Sequence, residues 1–316
     1  MTAPGTEVVN RINWASGAYI VLVHLAGLLG ALFIPRSHGY TLLLAVLLWP
    51  LSSLGRPLKH LSDSHSLLCA GITAGSHRLW SHRSYRATLP LRMFLMLLAS
   101  IANQGSIWHW VRDHRVHHKH SETDADPHNA KRGFLFAHMG WLFFKKHPAV
   151  KEASARLDFE DLLEDPVVVF QKRYDPWFNL FMCFFFPGLV SMLWGDDFWN
   201  GFWVAGALRY IFVLHNTWLV NSAAHLYGDH PYDPSIWPAE NPLVAFLAIG
   251  EGWHNWHHKY PFDYAASEFG IDRQFNPTKL FIDTCCVLGL ASERKRATLV
   301  WKRQQATREN SIDQQS

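Results

Sequence analysis

Apolar residues in this chain gather into long unbroken runs rather than into alternating stripes. The first, Trp14 to Ile34, is long enough to cross a bilayer, which takes about 20 such residues. It exceeds a signal-peptide core and lacks both a basic flank and a small-residue cleavage site, so an uncleaved span is expected. A second run starts at Tyr40 (YTLLLAVLLW), stops at Pro50 and resumes at Ser66 (SLLCAGITAG). The interruption, residues 50–65, carries Pro50, Gly55, Arg56, Pro57 and Lys59 and is excluded from hydrocarbon as a helix. Two more runs, about 176–194 and 199–220, flank Gly195, Asp196 and Asp197, which predicts a tight hairpin of membrane helices around an acidic turn. The apolar stretch Leu89 to Ala102 is short and contains Arg92, the pattern of a buried or interfacial helix rather than a span. The pattern therefore predicts an all-α integral membrane protein. Its body is residues 14–296, with spans at about 14–34, 40–75 (interrupted at 50–65), 176–194 and 199–220, a cytosolic N-terminal tail at 1–13 and a polar C-terminal tail at 297–316.

Composition agrees with a bilayer. The chain is 49% hydrophobic and 17% charged, with 15 Trp and 21 Phe, whereas soluble domains are about 25% charged. Disorder, collagen-like structure and a disulfide scaffold are excluded, and Cys69, Cys183, Cys285 and Cys286 all sit in apolar surroundings. Lys and Arg crowd between Arg78 and Arg173, while the turn at Asp196 and Asp197 has none. Positive residues stay cytoplasmic, so the middle of the chain and everything beyond residue 222 are expected on the cytosolic side.

Both of those cytosolic regions are rich in histidine, of which the chain has 20. Nine fall into four groups: His77 and His82 in HRLWSH; His114, His117 and His118 in RDHRVHH; His225 in NSAAHLYG; and His254, His257 and His258 in EGWHNWHH. In H-x-x-H-H, positions i, i+3 and i+4 share one helix face, so two groups each aim three imidazoles at one point. His77 and His82 would diverge by about 140° on a regular helix and converge only if the helix ends or unwinds between them. Asn221, one turn before His225, is placed to hold a metal-bound water. His24, His38, His60, His65, His109, His120, His128, His138, His147, His215 and His230 are read as ordinary polar residues. Nine ligands exceed one ion's coordination, so two metals are expected; imidazole suits Fe, Zn, Cu or Ni. Convergence also demands that all four groups face one side, which excludes a crossing by Leu89–Ala102. Asp113, Glu122, Glu251 and Asp263 sit close in sequence to these histidines and are available to orient the imidazoles, and the sequence does not choose among them. A catalytic zinc takes three protein ligands and a water, whereas two reduced irons with O2 suit hydrogen abstraction from an unactivated methylene in a dry slot.

The blocks GITAGSHRLWSHRSY, WVRDHRVHHKHSETDADPHN, RGFLFAHMGWLFFKKHPAV, NSAAHLYGDHPYD and GEGWHNWHHKYPFDY, in that order over roughly residues 66–292, resemble the acyl-CoA desaturases of the animal stearoyl-CoA desaturase type. The resemblance implies four transmembrane helices under a cytosolic helical cap, with the nine histidines as ligands of two irons and Asn221 holding a water on one of them. It implies oxygen-dependent insertion of a cis double bond into a saturated fatty acyl-CoA at the ninth carbon, in the endoplasmic reticulum membrane. Electrons would come from cytochrome b5 and its NADH-dependent reductase, and no nucleic-acid partner is expected. By position, Arg112 and Asp113 would hold the CoA at the tunnel mouth, Lys145 and Lys146 would meet its phosphates, and Gln104, Trp110 and Thr217 would line the kink of the acyl tunnel. A haem-binding His-Pro-Gly-Gly block is absent, so the electron donor would be a separate protein. Gly105 stands where the family usually has Asn, and relatives run through the second span without the 50–65 insertion. A hydroxylase or a desaturase of other regiospecificity on the same scaffold, and an inactive protein disabled by the insertion, are the rival readings.

Overall fold

A computed structural model describes residues 11–48 and 71–313. The interruption at 50–65, with His60 and His65, and Cys69 lie outside the described residues. The described residues are mostly helical, with one short antiparallel strand pair among them, Arg86–Ala87 against Ala291–Ser292.

The first helix, Trp14–Phe33, starts at Asn13, whose side-chain oxygen accepts from the Ser16 amide and so meets one of the donors a helix start leaves open. One stripe is buried: Gly17, Ile20, Val23, Gly27 and Gly30. A Cβ on Gly27 would meet Ile211 at 2.8 Å and one on Gly30 the Trp203 carbonyl at 2.4 Å, so the glycines let this helix close on residues 201–226. Close approach over small residues is how helices associate where lipid and core are equally apolar. Leu22, Leu28 and Leu32 on the opposite face are about two-thirds exposed, a surface fit for lipid. The helix extends to Arg36 as one apolar segment, and Trp177–Trp194 is the other described helix long and apolar enough to cross a membrane.

The expected fourth span departs from that pattern. Helix Phe198–Asn200 continues through Gly201–Leu208 into Arg209–Leu226, and carries Arg209, His215, Asn216 and Thr217, which lower its hydropathy. Arg209 is buried, donating to the carbonyls of Ala205 (3.0 Å), Ile101 (2.9 Å) and Cys183 (3.0 Å). The polar residues turn inward, toward the interior that the helix lines. The acidic turn binds this hairpin to the first: Asp196 accepts from the His38 amide (2.8 Å), from Thr41 and from Asn200 (2.7 Å). These bonds hold the turn between Phe33 and Gly39 beside the turn between Trp194 and Phe198.

Leu89–Ala102 is a 14-residue helix with Leu91, Leu95, Leu98 and Ile101 buried, and Arg92 pairs with Asp165 at 3.0 Å. Asn103, at φ +47°, ends it. Helices Ile107–His120 and Pro277–Val287 pack against Ile72–Ser81. The C-terminal segment, a polar tail by composition, forms the helix Thr298–Asp313; Trp301 seats it against Tyr232, Trp256 and Tyr260.

Candidate metal centre and substrate channel

His77 and His82 lie at the centre and end of helix Ile72–Ser81, a π-helix. Its wide turn bonds the His82 amide to the His77 carbonyl at 3.2 Å, five residues apart. The expected unwinding thus takes the form of an i→i+5 turn, which brings residues five apart onto one face; the two rings lie 4.9 Å apart. Helix Ile107–His120 begins at Ser106, whose hydroxyl accepts from the His109 amide, and its last two turns present His114, His117 and His118. The one-and-a-half-turn helix His254–Lys259 presents the second H-x-x-H-H, and His225 ends the helix Arg209–Leu226.

These elements bring all nine histidines into two groups. His77, His82, His114, His118 and His257 form one; His117, His225, His254 and His258 form the other. Neither H-x-x-H-H stays together: each is split between the groups. In the first group the Nε2 atoms of His77–His257, His82–His114 and His118–His257 are 2.9, 2.8 and 3.0 Å apart. In the second, His225–His254, His254–His258 and His117–His258 are 3.0, 3.1 and 3.4 Å apart. Nitrogens bound about 2.1 Å from one ion at right angles to each other would be about 3.0 Å apart, so the donor set has the spacing of a cation's ligands. Burial, reinforced by the other imidazoles, pushes His82, His114, His118, His254, His257 and His258 well below the ordinary imidazole range. They are neutral at physiological pH, as ligation requires.

Three carboxylates set the ring orientations. Glu251 lies 2.7 Å from His77 Nδ1, Glu122 2.6 Å from His225 Nδ1 and Asp126 2.9 Å from His117 Nδ1. Burial lowers His117, but Asp126 outweighs it and raises the imidazole; the same pair, against burial, holds Asp126 well below the usual carboxylate range. Glu122 and Glu251 are among the four carboxylates the sequence made available. The other two candidates find different partners: Asp113 takes Arg112 (2.9 Å) and Lys146, and Asp263 takes Arg296 (3.0 Å) and the Ala297 amide (3.0 Å). Asp126 went unnoticed because SETDADPHN offers several acids and no local signal for which one turns in. His128, read as an ordinary polar residue, is buried 4.3 Å from the His117 ring and shares Asp126 with it.

An elongated apolar space runs up to these groups. Its inner part, roughly 870 Å³ with the space open to solvent counted, is lined by Leu48, Ile72, Leu98, Ile101, Ala102 and Val213 among others, and reaches His77, His114, His117 and His254. The outer part, roughly 990 Å³, opens past Asn103, Gly105, His109 and Asp113. Gln104, Trp110, His114, Thr217 and Asn221 line both. At that junction Gln104 donates to Thr217 Oγ1 (2.7 Å) and accepts from Trp110 Nε1 (3.2 Å), and Trp110 stacks on His114. The three residues expected at a kink therefore form one hydrogen-bonded wall. Beside the mouth, Lys145, Lys146 and Arg132 line a further groove.

A family model for fatty acid desaturases matches residues 65–267, a stretch that includes all nine histidines. The chain is similar to the stearoyl-CoA desaturase 5 of Bos taurus, 52% identical over 288 residues that cover 91% of this chain and 81% of the relative. The human stearoyl-CoA desaturase 5 is also 52% identical, over 91% of this chain and 82% of its own. The human stearoyl-CoA desaturase is 49% identical over 90% of this chain and 75% of its own.

Proposed function

The chain belongs to the fatty acid desaturase family, and from that premise we propose that it inserts a cis double bond at the ninth carbon of a saturated fatty acyl-CoA. The observation that carries the reading is the convergence of nine imidazoles in two groups, four of which, His77, His114, His117 and His254, line a largely apolar cavity. We assign those histidines as ligands of two irons and Asn221, on the channel wall, as the holder of a water on one of them. When bound, the irons supply the chemistry by which O2 takes two hydrogens from adjacent methylenes, two electrons and two protons completing two waters.

The chain's own residues bind and orient. Arg112, Lys145 and Lys146 hold the CoA phosphates at the mouth, with Asp113 positioning Arg112 and Lys146 until the substrate arrives. The Gln104–Trp110–Thr217 wall bends the acyl chain where the two parts of the channel meet, so that one pair of methylenes lies against the histidines. Apolar lining excludes water from the reacting carbons. We place the protein in the endoplasmic reticulum membrane with four spans, at 14–34, 40–75 (interrupted at 50–65), 176–194 and 199–220, and the cap in the cytosol. There a separate cytochrome b5, reduced by its NADH-dependent reductase, delivers electrons. The tails are 1–13 and 297–316.

Expression in a yeast strain that makes no unsaturated fatty acids tests this. Growth without supplement, with mass spectrometry placing a double bond at carbon nine, is expected. No rescue with the protein present in the membrane refutes it. Rescue only after deletion of residues 50–65 would trace the failure to that insertion, and a product gaining one oxygen instead of losing two hydrogens would make the enzyme a hydroxylase.

A further inference from the structure

The two histidine groups are not equally supported. In the group of five, His77 alone meets a carboxylate, and that carboxylate, Glu251, is shared with the buried Arg78 at 2.6 Å. In the group of four, two imidazoles from different helices, His117 and His225, each meet one, and both carboxylates come from the single loop 121–128. Asp126 ties that loop together. Its side chain is wholly buried; Oδ1 accepts from His117 Nδ1 (2.9 Å) and the His128 amide (3.1 Å), and Oδ2 accepts from the Glu122 amide (3.0 Å). Glu122 sits at φ +57°, a left-handed backbone that a non-glycine residue keeps only when its surroundings impose it. Held there, it extends its own carboxylate to His225 Nδ1 at 2.6 Å.

We infer that Asp126 is a positioning residue for one metal and not the other: through loop 121–128 it orients His117 directly and His225 by way of Glu122, and so governs occupancy of the four-histidine group alone. This rests on the dimetal reading above. Both Asp126 oxygens accept from N–H groups, so an Asn there must turn its amide nitrogen against a donor, whichever way it is flipped. The four-histidine group then loses the partners that hold two of its four rings, whereas the Glu251–His77 contact is untouched.

The test is iron per chain, by elemental analysis of full-length protein purified in detergent, across a set of variants. Loss of an orienting carboxylate weakens metal binding roughly 10–100-fold. Asp126→Asn and Glu122→Gln are each expected to retain about half the wild-type iron, and the double variant no less than either alone, because both act on one ion. Asp126→Asn with Glu251→Gln is expected to retain almost none. The single Glu122→Gln change leaves Asp126 and its loop bonds in place, and so keeps the question open to measurement if Asp126→Asn does not fold. Full iron in Asp126→Asn, or loss of all iron in the Asp126→Asn, Glu122→Gln pair, overturns the inference. A wild-type chain that carries two metals but makes no double bond would refute the desaturase reading and leave this one standing; a metal-free wild type would end both.

Discussion

Arg78 offers the sharpest test of how the metal centre is held. It is 1% exposed; Nε and one terminal nitrogen donate to Glu251 (3.1 and 2.6 Å), and the other terminal nitrogen donates to the carbonyls of Tyr264 (3.1 Å) and Ala265 (3.0 Å). One guanidinium thus joins the His77 helix to the loop before Pro277. Arg78→Met keeps most of the volume but leaves the Glu251 charge buried beside His77 with no cation. Breaking a buried pair from one side costs about 3–5 kcal/mol, a large share of the roughly 5–15 kcal/mol that folded domains possess. At roughly 2 °C per kcal/mol for a chain of this size, Tm should fall by about 6–10 °C. Arg78→Met with Glu251→Gln removes both charges, so the pair should be less destabilised than the sum of the singles by more than about 1 kcal/mol. Thermal unfolding of the metal-stripped protein in detergent separates this from lost metal affinity. A cost below about 1 kcal/mol for Arg78→Met, or simple additivity in the double variant, would refute the reasoning.

Other outcomes follow from the same geometry. His118→Ala should abolish product and lower bound iron, whereas His120→Ala, outside both groups, should leave product formation near wild type; yeast rescue and elemental analysis check both. Ala102→Leu places three more carbons in the inner channel, and each displaced substrate methylene forfeits about 0.8 kcal/mol, or about fourfold in binding, so product profiles should shift to shorter chains; an unchanged profile would exclude Ala102 from contact with the acyl chain. Glu240 is buried and accepts from the Trp256 amide (2.9 Å), and burial pushes its carboxyl up to about 8 from an ordinary value near 4.5. Because the folded state then binds this proton more tightly, its contribution is complete below pH 4.5 and is lost as pH rises through 8. Glu240→Gln should flatten that part of the stability profile of the metal-stripped protein, measured by thermal unfolding. Chelation should lower Tm by removing a ligand bound only to the folded state, and ferrous iron should restore it.

Much of the site was legible in the chain because its information is local. H-x-x-H-H specifies a helix face wherever the helix goes, so the nine histidines could be picked out from eleven others by spacing and neighbourhood alone. Long apolar runs, the acidic turn at Asp196 and the short run at Leu89 speak of elements in the same way. What spacing does not contain is closure. That each H-x-x-H-H divides between two groups, that a π-turn carries His77 and His82 onto one face, and that Gln104, Trp110 and Thr217 join hands across helices all depend on how distant segments pack. The carboxylates show the boundary most plainly. Glu122, Asp126, Glu251, Asp113 and Asp263 all lie within the histidine-bearing stretches of the chain, yet a buried carboxylate must find a partner and takes the one that packing sets beside it. For Asp113 and Asp263 that partner was a cation, for Glu122 and Asp126 an imidazole, and for Glu251 both.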